Sequence, residues 1–275
     1  MSVLAHALIA PEGPAPQQWM LFLHGIMGQG TNFRGLAKRW IAAREAKGAR
    51  WGAILIDLRE HGRSLGFPAP HTVAACAEDV FALEAALGLR VCGAIGHSFG
   101  GKVALAWMAA RTEPPAELWT LDSNPGTRID AQGSETTLHV VQVLRGAPAR
   151  FAARGDFTRY ALGAGLSPMI AEWLAMNVLP TADGDFVFRL SLDSIEALLN
   201  DYFASDLWQV VEHAPYACKV HLVIGGRSTV YDGDDCTRAR RIEMLSDGRV
   251  CVHILEHAAH WIHVDAPEEL LALLT

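Results

Sequence analysis

Runs of apolar residues punctuate the chain at regular intervals. Trp19-Met20-Leu21-Phe22-Leu23 and Ala53-Ile54-Leu55-Ile56 are apolar throughout, as strands buried on both faces of a parallel sheet are. Val91 and Cys92 with Ala94 and Ile95, Leu118-Trp119-Thr120-Leu121, Val220-His221-Leu222-Val223-Ile224 and Val250 to Leu255 predict further strands, and Val3 to Ile9 predicts an edge strand. Between them the period changes to that of a helix: Phe33, Leu36, Trp40 and Ile41 up to Gly48; Val73, Val80, Leu83 and Leu87 between a Thr72 cap and Gly88; Val103 to Met108; Thr237 to Leu245; and Pro267 to Leu274. Strand and helix alternating in this way predict a mostly parallel α/β sheet with helices on both faces and right-handed crossovers.

The alternation stops from about Thr136 to His213. That stretch is helical in pattern, rich in aromatics and broken by Pro148, Pro168, Pro180 and the Asp183-Gly184 turn. Three segments follow: an α/β core over 1–135, a helical cap over 136–213 and the rest of the core over 214–275.

Composition narrows the setting. A net charge of −7 with no basic run disfavours nucleic acid and anionic membrane surfaces as partners. Five cysteines with no C-x-x-C spacing suit a reducing cytoplasm. Ala5-His6-Ala7 mimics a signal-peptidase site, but no positive residue precedes it and the apolar run is short. No stretch reaches the ~20 apolar residues of a membrane span.

The chemistry centres on Gly96-His97-Ser98-Phe99-Gly100 at a strand-to-helix junction. It fits G-x-S-x-G, in which a sharp turn lifts a serine above the sheet and glycines let the backbone pass neighbouring chain closely. Gly96 to Lys102 also spells the start of a phosphate-binding loop, but Val103 stands where a metal-ligating hydroxyl belongs, so Lys102 reads as a helix-surface lysine. Parallel strands collect reactive groups at their carboxyl ends. Here those ends carry Gly25-Ile26-Met27, Ser98, Asp122, Ser228 and, after the last strand, His257 or His260. A serine needs a base, and an imidazole base needs a carboxylate to fix its tautomer.

With these pieces assembled, the chain resembles the α/β-hydrolase superfamily over nearly its whole length. Within it, the chain is similar to small bacterial and mitochondrial acyl-ester hydrolases, through Asp57-Leu58-Arg59-Glu60-His61-Gly62-Arg63-Ser64, the elbow with its trailing Gly101-Lys102, Leu121-Asp122 with Pro125, and His260-Trp261-Ile262-His263-Val264-Asp265-Ala266-Pro267. The resemblance implies the α/β-hydrolase fold with the helical cap inserted after the sixth strand, Ser98 as nucleophile and His260 as base. Where the commonest pattern has Gly-x-x-Asp, this chain has Gly225-Gly226-Arg227-Ser228. Asp122 ends the strand next to the elbow strand, where several relatives in the resembling group place their carboxylate, so the resemblance implies Asp122 as the acid, with Ser228 bonding the same histidine from the other side and a later aspartate as the alternative. Asp232, Asp234 and Asp235 read as a solvated loop.

The oxyanion donors are expected to be the backbone N–H of Ile26 and Phe99, with Met27 as fallback. Met27, Trp261, His24, Phe203 and Trp208 are the expected substrate contacts, although His24, with Arg59 and His61, also suits a loop-holding role. The implied activity is hydrolysis of carboxylic esters or thioesters with an apolar acyl group, through an acyl-enzyme and with no metal or organic cofactor. The expected protein is a monomer or homodimer acting on a small-molecule acyl substrate. Two alternatives remain open. One is a carbon–carbon bond hydrolase or lyase acting on a dicarbonyl substrate, anchored by Arg145, Arg150, Arg154, Arg159 or Arg189. The other is a ligand-binding protein with degenerate catalysis.

Overall fold

In a computed structural model, which describes residues 3–128 and 135–275, seven strands form one sheet in the order β1-β3-β2-β4-β5-β8-β9. β1 (His6–Ile9) runs antiparallel to β3 (Trp51–Ile56). β2 (Gln18–Leu23), β4 (Val91–His97), β5 (Glu117–Leu121), β8 (Lys219–Gly225) and β9 (Val250–Leu255) complete it in parallel. The continuous apolar runs are explained by burial on both faces. Along β2, Leu21 and Leu23 join one core with α2 (Val73–Leu87) and α3 (Phe99–Ala109), whereas Met20 and Phe22 join the other with α1 (Arg34–Ala46) and α11 (Pro267–Leu274). Alternate side chains of a strand point to opposite faces, so both sets must be apolar.

Between β5 and β8 lie α4 (Glu135–Arg145), α5 (Arg154–Gly163), α6 (Pro168–Ala175), α7 (Leu192–Ala204) and α8 (Trp208–Glu212). The boundary expected at 135–136 falls in the first turn of α4. A short antiparallel hairpin, β6 (Val178–Pro180) with β7 (Phe186–Phe188), interrupts the helices, its turn at Asp183-Gly184. The insertion follows the fifth strand rather than the sixth, because only five strands of the sheet precede it among the described residues. α9 (Gly233–Leu245) also starts earlier than expected. Asp232 is its cap, accepting from the Asp235 N–H at 2.8 Å, so Asp232, Asp234 and Asp235 begin a helix rather than form a loop. The described chain closes with α10 (Ile262–Asp265) and α11. No helix of the described residues is long and apolar enough to cross a membrane.

Candidate active site

β2, β4 and β5 are neighbours at the centre of the sheet, so His24, Ser98 and Asp122, the residues just past their ends, emerge side by side. Ser98 has φ +51° and ψ −118°, a conformation costly for a residue with a Cβ. Its N–H is held by Leu121 O at 3.0 Å and its carbonyl by Gly101 N–H at 2.9 Å. The flanking glycines have a steric reason: a Cβ on Gly96 would lie 2.3 Å from Gly100 O, and one on Gly100 2.3 Å from Leu23 O. The strained turn therefore exists because two backbones cross where no side chain fits.

Asp122 is fully buried at a second positive-φ position, φ +45°. Its Oδ1 accepts the Gly225 N–H at 3.1 Å, and its Oδ2 accepts from His260 Nδ1 at 2.7 Å and from Ser228 Oγ at 2.5 Å. With Nδ1 donating to the carboxylate, Nε2 is the nitrogen left for a substrate or serine hydroxyl. Ser228 thus touches the carboxylate rather than the histidine, contrary to the sequence expectation. The His260 backbone is steadied by His97, whose Nε2 meets His260 O at 2.9 Å. Burial, reinforced by His260 and His263, holds the His97 pKa well below its ordinary value, so this ring is neutral.

The β2–α1 loop builds a second feature. The Gly25 carbonyl accepts from His24 Nδ1 at 2.7 Å and from the Gly28 N–H at 3.0 Å. A trans peptide points its N–H opposite its carbonyl, so the Ile26 N–H faces away from His24 Nδ1 and the Gly28 N–H. The Met27 N–H is already bound to His61 Nε2 at 2.8 Å, which removes Met27 as a fallback donor. Neither Ile26 N–H nor Phe99 N–H has a protein acceptor outside regular helix or strand pairing among the described residues. His24 and His61 spend both ring nitrogens on this loop and on β3's exit, through Leu58 N–H at 3.0 Å and Arg59 O at 2.8 Å. Burial lowers His24 to about 4; burial, then the neighbouring His24, lowers His61 to about 3. Both stay neutral and hold loops. Arg59 is likewise structural, clasping Asp79 through Nε at 2.6 Å and Nη2 at 3.0 Å.

These groups open into one cavity of about 280 Å3 lined by Ser98, His260, Ile26, Met27, Phe99, Trp261, His24 and Phe203, with Val140, Ile170, Trp173 and Leu199 added from the inserted helices. Trp208 is not part of it. It is buried elsewhere, beneath the Arg238 guanidinium at 4.9 Å, because α8 packs against α3 rather than over the cavity. Arg145, Arg150, Arg154, Arg159 and Arg189 also lie outside the lining. Arg145 pairs with Asp193 and Glu196, Arg150 with Asp183 and Asp185, Arg159 with Asp156, and Arg154 donates to Val178 O. His257 is exposed, whereas His263 lines the cavity. No cluster of three or more metal-ligating side chains occurs among the described residues.

Three residues escaped the sequence reading. Lys102 is fully buried, not on the surface, and its Nζ donates to Gly126 O at 2.7 Å, Tyr202 O at 2.6 Å and Ser205 O at 2.8 Å. It ties the elbow helix α3 to the end of α7. Tyr202 places its ring 4.4 Å from that ammonium and lines the cavity together with Ser98. Burial, then Asp122, raises the Tyr202 pKa to about 12, so it remains a neutral phenol. Asn177, just before the hairpin, donates from Nδ2 to Met27 O at 2.9 Å and joins the insertion to the β2–α1 loop. Nothing in composition or spacing marks Tyr202 or Asn177. The clue at Lys102 is its place one turn into a helix whose other positions are apolar.

The similarity to known proteins agrees with the fold. The mouse (Mus musculus) sn-1-specific diacylglycerol lipase ABHD11 is 27% identical over 270 residues, covering 96% of this chain and 82% of the relative. The 2-succinyl-6-hydroxy-2,4-cyclohexadiene-1-carboxylate synthase of Serratia proteamaculans is 28% identical over 130 residues, 45% of this chain and 46% of the relative. Among solved structures, a marine microorganism esterase superimposes with a TM-score of 0.78 at 22% identity, covering 98% of this chain and 97% of the other. The family model described as "Alpha/beta hydrolase family" matches residues 20–273, and the chain belongs to that family.

Proposed function

We propose that the protein is a serine hydrolase that cleaves carboxylic esters or thioesters with an apolar acyl group by way of an acyl-enzyme. The observation that carries this reading is the 2.7 Å contact of His260 Nδ1 with the buried Asp122, in a cavity that Ser98 enters from a strained turn. His260 Nε2 takes the Ser98 proton as Oγ attacks the carbonyl carbon. The oxyanion that forms is received by the Ile26 and Phe99 N–H groups. His260 then gives its proton to the leaving oxygen or sulfur, and water, activated by the same nitrogen, releases the acid. Val140, Ile170, Trp173, Leu199 and Phe203 supply an apolar wall for the acyl group, with the helices over 136–213 acting as a cap. The reading is supported by the relatives named as a lipase and an esterase. Five free thiols suit a reducing compartment such as the cytoplasm.

Carbon–carbon bond hydrolysis or a lyase reaction has one observation in its favour: Arg128 and Arg227 line the cavity and can hold a substrate carboxylate. The ligand-binding reading loses its main support, since a carboxylate does reach His260.

The test is hydrolysis of a chain-length series of acyl esters by the wild type, Ser98→Ala and Asp122→Asn. Activity abolished by Ser98→Ala supports the serine hydrolase. Equal inertness of wild type and Ser98→Ala toward every ester rejects it in favour of the dicarbonyl chemistry.

A further inference from the structure

The cavity is electrically lopsided. Among the described residues that line it, the side chains with a permanent charge are Arg128 and Arg227, and no aspartate or glutamate lines it, although the chain as a whole carries −7. The two arginines differ. Arg128 is engaged: its Nη1 donates to Val230 O, its Nη2 lies 3.3 Å from Thr229 O, and Asp235 stands 3.9 Å away. Arg227 is exposed, and its guanidinium forms no ion pair or hydrogen bond among the described residues. It is one residue from Ser228, which binds Asp122, and its N–H is tied to Ala258 O at 2.9 Å, in the loop that carries His260. Arg227 therefore lines the cavity from a loop tied directly to the one that carries His260.

On this evidence we infer that Arg227 is a subsite for an anionic group, carboxylate or phosphate, on the alcohol or thiol portion of the substrate. The side is set by chemistry and rests on the hydrolase reading above. His260 must hand its proton to the leaving oxygen or sulfur, so the leaving portion lies beside His260, whose loop is tied to that of Arg227. The apolar acyl portion packs against the apolar side chains that the inserted helices supply. A planar guanidinium with free N–H groups binds either anion in bidentate fashion. Arg128, which gives one donor each from Nη1 and Nη2 to the carbonyls of Val230 and Thr229, holds that loop in place and adds to the positive potential at the mouth.

The test keeps the acyl group constant and changes only the charge of the alcohol. Butyrate esters of ethylene glycol, choline, glycolate and 2-hydroxyethyl phosphate are compared for wild type, Arg227→Gln and Arg227→Glu. The wild type is expected to favour one or both anionic esters over the neutral one by ~10-fold in kcat/KM, as a charge-assisted hydrogen bond allows. The glycolate and phosphate arms show which anion fits. Arg227→Gln should bring the anionic-to-neutral ratio close to one, and Arg227→Glu should favour choline. Equal wild-type rates across the charges, or a ratio that Arg227→Gln leaves intact, overturns the subsite. Calorimetric binding of the same esters to Ser98→Ala, with and without Arg227→Gln, separates this from the reaction itself. Charge-selective binding without turnover by the wild type would reject the esterase reading and keep the subsite; binding indifferent to charge would reject the subsite whatever the reaction.

Discussion

Ser228 Oγ and His260 Nδ1 bind the same oxygen of Asp122, at 2.5 and 2.7 Å. The strand β8 loop, where the commonest pattern of the superfamily supplies the carboxylate, here supplies a hydroxyl to a carboxylate that arrives from β5. The two changes belong together. An acid at both places would set two negative charges on one imidazole, whereas a serine donates to the single acid and keeps Oδ2 aimed at the ring.

Asp122→Asn is therefore expected to lower kcat by roughly 10⁴-fold, as loss of the tautomer-fixing carboxylate does in oriented triads. Ser228→Ala removes one donor but not the charge and should cost about 10-fold. Placing Ser228→Asp in the Asp122→Asn background returns a carboxylate beside His260 from the other strand. Ester-hydrolysis kinetics that recover by ~10-fold or more would establish that the two positions share one role; a double variant no better than Asp122→Asn would show that only the β5 geometry works.

Lys102 gives a stability prediction with a definite sign. Burial, only partly offset by Asp206, Asp201 and Asp235 and aided by Arg128, lowers its pKa from 10.5 to about 8. Between pH 8 and 10.5 the unfolded chain binds a proton that the folded chain does not, so this group makes stability rise with pH there. Below about pH 8 both states are protonated and the full penalty, about 3 kcal/mol, is present. Lys102→Met removes that penalty but leaves the carbonyls of Gly126, Tyr202 and Ser205 without their donor, at ~1–3 kcal/mol each. The opposing effects leave the variant within a few kcal/mol of wild type at pH 7. At pH 10 it should fall behind by about 3 kcal/mol more. Urea denaturation at both pH values measures this, and a gap that does not change with pH would show that the Lys102 proton is not linked to folding.

The sheet was legible in the sequence because burial on both faces forces apolar runs, and the elbow because its glycines answer to backbone crossings that nothing else satisfies. Asp122 was legible because it ends the strand beside the elbow, a place where the resemblance to acyl-ester hydrolases implies a carboxylate once Ser228 stands in the commoner position. Lys102 was misread because a buried ammonium that binds only main-chain carbonyls leaves no partner side chain in the sequence. Trp208 was misassigned for a related reason: an aromatic in an inserted helix can face the cavity or the core, and the packing of α8 on α3 decides which. The β6–β7 hairpin has only three residues per strand, too few for an alternating pattern to show.

Tyr202→Phe deletes the hydroxyl of a residue that lines the cavity with Ser98 while keeping the ring over Lys102. The buried phenol is neutral at every working pH and can only donate or accept a hydrogen bond. The variant should keep its melting temperature within a few degrees and lose roughly 10-fold in kcat. Unchanged steady-state kinetics would assign Tyr202 to packing alone.

Asn177 links the inserted helices to the loop that carries Ile26, a proposed oxyanion donor. Met27 has φ +60°, a strained conformation, with its N–H held by His61 and its carbonyl by Asn177 Nδ2 at 2.9 Å. Asn177 is itself fixed, its N–H on Leu174 O at 2.9 Å and its carbonyl on the Arg189 N–H at 3.0 Å. One side chain from the insertion therefore pins the peptide next to Ile26. Asn177→Ala frees the Met27 carbonyl, and Asn177→Asp puts a charge against it. Because the proposed mechanism has the Ile26 N–H receive the oxyanion, both variants should lower kcat more than they change KM, by about 10-fold for alanine and more for aspartate. Measuring kcat and KM separately, alongside binding of a carboxylic-acid product, gives the answer: a loss confined to KM would mean that Asn177 shapes the binding cavity and leaves the oxyanion donors where they were.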